Sequence, residues 1–147
     1  MSARNPEERS RARAVGHRLQ RRRGPRVSVP VELSALEAEI ARHGDVAFLV
    51  TTSAGGRPHV VSVQVAVGDG VLTMGAGRSS RRNAAEVSAV TLLWADTPEG
   101  EYCLLVDGDA TVIDDAERID VQPTSAILHR LAGARADIPY CAPVGDA

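Results

Sequence analysis

Arg78, Ser79, Ser80, Arg81 and Arg82 stand in consecutive positions, preceded by Gly75-Ala76-Gly77 and followed by Asn83. Two hydroxyls and three guanidinium groups on a glycine-flanked turn make a set of donors suited to a phosphate, because the turn runs into a short helix predicted over Arg81 to Val87. The first N–H groups of a helix have no partner in the helix and carry a partial positive charge. A plainer reading stands beside it: Ser79 or Ser80 is an ordinary N-cap and the arginines are a solvated face. The body of the chain tilts the balance toward phosphate, since residues 31–147 carry eight arginines against 17 acids and three of those eight lie on this turn.

Other chemistry is sparse. His17, His43, His59 and His129 are scattered, and none has a carboxylate or nucleophile at motif spacing. His59 and His129 fall near strand ends, where either could face a pocket or be a structural group. No lysine occurs anywhere, which excludes any mechanism that needs a Schiff-base lysine. Cys103 and Cys141 form no Cys-x-x-Cys pair and are read as reduced, structural thiols, with no metal site. Trp94, the single tryptophan, is expected in the core or a subunit interface, with cofactor stacking as the alternative.

The elements that must position these residues are mostly strands. Leu33, Leu36 and Ile40 recur at helical spacing and predict one amphipathic helix from Val31 to His43, stopped by Gly44. Strands follow over Val46 to Thr52 and Pro58 to Val67, joined by Ala54-Gly55-Gly56-Arg57 as a hairpin. The second alternates, with Val61, Val63, Val65 and Val67 on a core face and Val60, Ser62, Gln64 and Ala66 on a face able to meet a ligand or partner. Gly68-Asp69-Gly70 turns the chain into a strand from Val71 to Ala76, and two longer strands are predicted over Ala89 to Ala95 and Tyr102 to Ile113 around the loop Asp96 to Gly100. Gly108 marks a bulge or a close backbone approach, and the stretch Ile119 to Leu131, which contains Pro123, reads as an interrupted or edge strand. Connections this short cannot carry parallel crossovers, so six strands with one leading and one inserted helix close most naturally as an antiparallel barrel.

A chain of 147 residues with 44% apolar content supports one domain with a real core. Residues 1–30, with nine arginines against two glutamates and almost no aliphatic pattern, read as a disordered basic tail. The domain spans 31–131, and 132–147 form a C-terminal tail. No aromatic residue is interleaved with the arginines, so a solvated tail is favoured over a nucleic-acid-binding arm. With no apolar run of membrane-spanning length and no signal-peptide h-region, a cytoplasmic protein with no membrane partner is expected.

The runs Phe48-Leu49-Val50-Thr51-Thr52, Gly56-Arg57-Pro58-His59-Val60-Val61, Gly70-Val71-Leu72, Asn83-Ala84-Ala85 and Val90-Thr91-Leu92-Leu93-Trp94 resemble the pyridoxamine 5′-phosphate oxidase-like split-barrel family. The later runs Leu104 to Gly108 and Val121 to Arg130 look like a short actinobacterial-type branch whose members mostly lack an assigned reaction. The resemblance implies a mainly β fold, a six-stranded antiparallel split barrel, and a homodimer with cofactor in two grooves at the subunit interface. It implies FMN first, a deazaflavin (coenzyme F-420) second, and haem or none in other branches, with the cofactor carrying the redox chemistry on a small-molecule substrate. Carried over by position, flavin-facing residues fall on Val61, Ser62, Val63 and Gln64 and on Thr73, Met74 and Gly75, with the phosphate turn on Arg78, Ser79, Ser80, Arg81, Arg82 and Asn83.

Two positions depart from the family pattern. The basic pair of the oxidases' phosphate turn lands on Ser79 and Ser80, so Arg78, Arg81 or Arg82 would have to substitute, and a phosphate-binding arginine of the second strand is replaced by Val61. The chain also lacks the C-terminal segment that shapes the vitamin pocket of the oxidases. These departures argue against oxidation of pyridoxamine phosphate itself. They leave two readings: a flavin- or deazaflavin-dependent oxidoreductase, and a dimeric barrel acting without catalysis as a cofactor or haem carrier, sensor or partner-binding module.

Overall fold

The computed structural model describes residues 28–95 and 102–130. The arginine-rich segment as far as residue 27, the loop at 96–101 and the chain from 131 onward, including His17 and Cys141, lie outside the described residues. The elements are β1 (Ser28–Pro30), a 3₁₀ turn (Leu33–Ala35), α1 (Leu36–His43), β2 (Val46–Thr52), β3 (Pro58–Gly68), β4 (Val71–Gly75), α2 (Arg78–Glu86), β5 (Ala89–Trp94), β6 (Cys103–Ile113), a 3₁₀ turn (Asp114–Ala116) and β7 (Arg118–His129).

Strands β2 to β7 close a six-stranded antiparallel barrel in the order β7-β4-β3-β2-β5-β6, with β6 paired back onto β7. The fold is therefore mainly β, as the periodicity predicts, with two helices and one further strand. Alternation fills the barrel: Leu49, Leu72, Leu92, Trp94, Leu104, Val106, Ile119 and Val121 are fully buried. On β3, Val63 and Val65 point inward while Val60, Ser62, Gln64 and Ala66 are exposed, as read from the sequence. The β3–β4 turn has φ of 50° at Asp69 and 75° at Gly70, the two positive values that a two-residue hairpin with the strands' own twist requires.

Helix α1 plugs one end of the barrel with Leu36 and Ile40 and stops at Gly44, whose φ of 98° suits glycine. Trp94 reaches this stop from inside the core and donates its Nε1 hydrogen to the Gly44 carbonyl at 3.0 Å. Both ring nitrogens of His43 are placed against main-chain carbonyls, Nδ1 at 3.0 Å from Glu39 O and Nε2 at 3.2 Å from Tyr102 O, so this histidine is structural.

Four expectations need correction. The tail does not extend to residue 30: Ser28, Val29 and Pro30 pair with His129, Leu128 and Ile127 of β7, and Val31 N–H donates to Ala126 O at 2.9 Å. That pairing holds Val31 extended, so the α-helix begins at Leu36 rather than Val31. Strand β7 is neither interrupted nor an edge, since β6 runs along one side of it and β4 and β1 share the other. Pro123 is tolerated because the register shifts there: Asp107 faces Ser125 and Gly108 faces Pro123, leaving Thr124 as the extra residue of a bulge. Helix α2 starts at Arg78, three residues before the predicted Arg81, with Gly77 as its N-cap. Ser79 and Ser80 thus lie in the first turn, and neither is the cap.

Candidate functional site

The barrel wall is incomplete beside β3. Pairing with β4 spans only Val65 to Gly68, whereas pairing with β2 continues back to Pro58. Val65 N–H donates to Asp45 O at 2.7 Å, on the β2 side. By strand alternation, the N–H and C=O of Val60 and Ser62 point the opposite way, to an edge that no strand covers among the described residues. The space is bounded across the gap by the N-terminus of α2.

A groove of about 300 Å³ occupies this gap, lined by His59, Val61, Ser62 and Val63 of β3 and by the run from Gly75 to Ser80. A second opening of about 590 Å³, lined by Asp45, Gln64, Val65, Ala66, Thr73, Met74 and Gly75, adjoins it at Gly75. A Cβ built on Gly75 or Gly77 would meet nothing within 4 Å, so the glycines front open space. Arg81 N–H is the first of the helix to find a partner in it, Gly77 O at 3.0 Å. The N–H groups of Arg78, Ser79 and Ser80 belong to the turn that precedes this bond, and no acidic residue occupies that first turn to offset its positive end. In the adjoining opening, Gln64 Nε2 donates to Asp45 Oδ2 at 2.8 Å, which orients the amide.

Of the residues proposed from the sequence, Val61, Ser62, Val63, Gly75, Arg78, Ser79 and Ser80 line the groove, and Gln64, Thr73, Met74 and Gly75 line the adjoining opening. Met74 is 1% exposed, so its side chain belongs to the core and only its main chain can serve a ligand. Three residues of the expected phosphate turn are placed elsewhere. Arg81 turns back on its own loop, with Nη1 donating to Ala76 O at 2.5 Å and Nε to Asp114 Oδ1 at 3.2 Å. Arg82 is exposed and lines neither opening. Asn83 is 3% exposed and donates from Nδ2 to Thr51 Oγ1 at 3.2 Å, tying α2 to β2. The cause is helical geometry: positions 80, 83 and 84 share one face of α2, and that face packs inward. Arg78 is the one arginine of the three left at the groove.

The structure also adds residues. His59 lines the groove, on the inward face it shares with Val61 and Val63; that alternation was the signal in the sequence. Ala76 and Gly77 join it because they form the N-terminal approach to α2, which the later predicted start concealed. Val61 packs against the core cluster, consistent with an apolar residue where the oxidases place an arginine.

No family model matches the chain. An uncharacterised protein of Mycobacterium bovis is 35% identical over 115 residues, 68% of this chain and 80% of that one, and an uncharacterised protein of Mycobacterium tuberculosis matches to the same extent. Among solved structures, a candidate pyridoxamine 5′-phosphate oxidase of Listeria innocua superposes with a TM-score of 0.54 at 15% identity, over 66% of this chain and 98% of that one. The FAD-binding protein of Mycobacterium smegmatis does so with a TM-score of 0.50 at 15% identity, over 70% and 99%. The haem storage protein HutZ of Vibrio cholerae also gives 0.50 at 15% identity, over 68% and 96%. The chain belongs to the family of these mycobacterial proteins, and its barrel shares the split-barrel fold of these solved structures.

Proposed function

We propose that the protein binds a flavin nucleotide, FMN in the first place and a deazaflavin in the second, and works as an oxidoreductase on a small molecule. The observation that carries this reading is the groove itself: an uncovered strand edge on one wall and a helix N-terminus on the other, joined at Gly75 to a larger opening. The donors suit the two ends of such a ligand. The first-turn N–H groups of α2, the Ser79 hydroxyl and the Arg78 guanidinium fit a phosphate monoester. The main-chain groups of Ser62 and the Gln64 side chain fit the donor and acceptor edge of a flavin ring. A bound flavin would supply hydride transfer, and the protein's part is to bind the phosphate, orient the ring against β3 and exclude water.

A homodimer belongs to this reading. Val46, Phe48 and Val60 are 60%, 43% and 57% exposed on the outward face of the β2–β3 hairpin, where Val60 pairs with Val50 and Phe48 lies between Ser62 and Leu93. This apolar face borders the groove, so a second copy seated on it would cover the ligand. One observation favours a non-catalytic carrier instead: apart from Arg78, His59 is the single titratable side chain lining the groove. Among the described residues no helix is long and apolar enough to cross a membrane.

The test is the absorbance spectrum of the purified protein, followed by titration of the apo form with FMN and with a deazaflavin, read by ligand fluorescence. A yellow protein or saturable binding of either supports the proposal. A Soret band would transfer the site to haem, and a protein that binds neither flavin refutes the reading.

A further inference from the structure

Arg81 lies on the turn that the family resemblance assigns to phosphate, yet its side chain is 13% exposed and held by the β6–β7 turn. Its Nη1 donates to Ala76 O at 2.5 Å, its Nε to Asp114 Oδ1 at 3.2 Å, and its Nη2 lies 3.6 Å from Glu117 Oε1. Ala76 is tied a second time, because its N–H donates to the carbonyl of Glu117 at 2.9 Å. Both main-chain groups of Ala76 are therefore fixed by the β6–β7 turn or by the arginine anchored to it. Glu117 sits there with a φ of 48°, a left-handed conformation that a non-glycine residue holds only where its surroundings enforce it.

Ala76 precedes Gly77, the N-cap of α2, so its position sets where the first-turn N–H groups aim. We propose that Arg81 is a positioning residue: it clamps Ala76 to the β6–β7 turn and so holds the N-terminus of α2 in the geometry that receives a phosphate monoester, without touching the phosphate. The inference rests on the flavin-phosphate reading for its ligand, but the clamp itself is a property of the apo protein. A planar fork that donates to two acceptors and pairs with a second carboxylate is not replaced by an ammonium group, which separates the clamp from a simple need for positive charge.

The experiment measures amide hydrogen exchange at Ala76 in the apo protein, and the affinities for FMN and for riboflavin, which lacks the phosphate, in wild type, Arg81→Ala, Arg81→Lys and Glu117→Gln. Ala76 exchange should rise at least about tenfold in both Arg81 variants, with core-strand amides such as that of Leu92 unchanged. FMN affinity should fall about tenfold in both, while riboflavin affinity stays within about twofold, the loss of a charge-assisted contact's worth of orientation. A merely structural role would lower both ligands alike, and a direct phosphate contact would let Lys restore FMN binding with Ala76 still protected; either result overturns the clamp. Should Arg81→Ala not fold, Glu117→Gln loosens one arm and must raise Ala76 exchange in the same direction. If wild type binds neither flavin, the ligand reading fails, and Ala76 exchange still decides whether Arg81 holds the turn.

Discussion

Gly108→Ala tests the closure of the barrel. Gly108 sits at the β6–β7 register shift, opposite Pro123, and a Cβ built on it lies 2.5 Å from Val121 Cγ1, 2.6 Å from Gln122 O and 3.1 Å from Gln122 C. Two of those three atoms are main chain of the facing strand and cannot rotate away. Val121 is itself fully buried, so its methyl has no space into which to retreat. Relief therefore means parting β6 from β7 by several tenths of an ångström at the pair that closes the barrel. Overpacking of this kind costs about 2–3 kcal/mol, and for a chain of this length that lowers Tm by roughly 6–9 °C. Thermal unfolding of Gly108→Ala beside Gly75→Ala is the assay. Gly75 has no atom within 4 Å of its built Cβ and no positive φ, so its alanine variant should unfold within about 0.5 kcal/mol of wild type. Its methyl nonetheless stands where the two openings meet and should weaken flavin binding. A Tm for Gly108→Ala within 2 °C of wild type, on the order of the noise for an unstrained surface change, would refute the close-approach argument.

Arg78→Ala should weaken FMN about tenfold and leave riboflavin unaffected, as measured by fluorescence titration, because Arg78 is the one arginine of the turn at the groove. Phe48→Glu should convert a dimer to a monomer in size-exclusion chromatography coupled to light scattering, with the barrel's β circular dichroism retained; an unchanged mass would place the interface on another face. The Asn83 amide donates to Thr51 but its Oδ1 has no partner, so the double variant Thr51→Val/Asn83→Leu should be at least as stable as wild type by denaturant titration, while Thr51→Val alone, which strands the amide, should lose about 1–2 kcal/mol.

Local patterns carried much of the fold. The period-two alternation of β3 predicts which side chains meet the core, and Gly44 and Asp69-Gly70 mark a helix stop and a hairpin because their backbone angles are ones few residues adopt. The same alternation put Val61, Ser62 and Val63 in register for the groove. Position in sequence was a poorer guide where the deciding partner is remote. Nothing within a few residues of Pro123 reveals that a bulge opposite Gly108 will accept it, and nothing near Ser28 reveals that β7, about a hundred residues away, will pair with it.

The turn from Arg78 to Asn83 divides along the same line. Residue order alone places arginines, serines and glycines together at one helix start, a set of donors suited to an anion. Which of them face the groove was decided by the tertiary structure, since Asn83 packs inward against Thr51 and two carboxylates from the β6–β7 turn draw Arg81 away from the groove. Which face of a helix turns inward depends on what it packs against, and a guanidinium goes to whichever acceptors folding brings within reach; both partners here are remote in sequence.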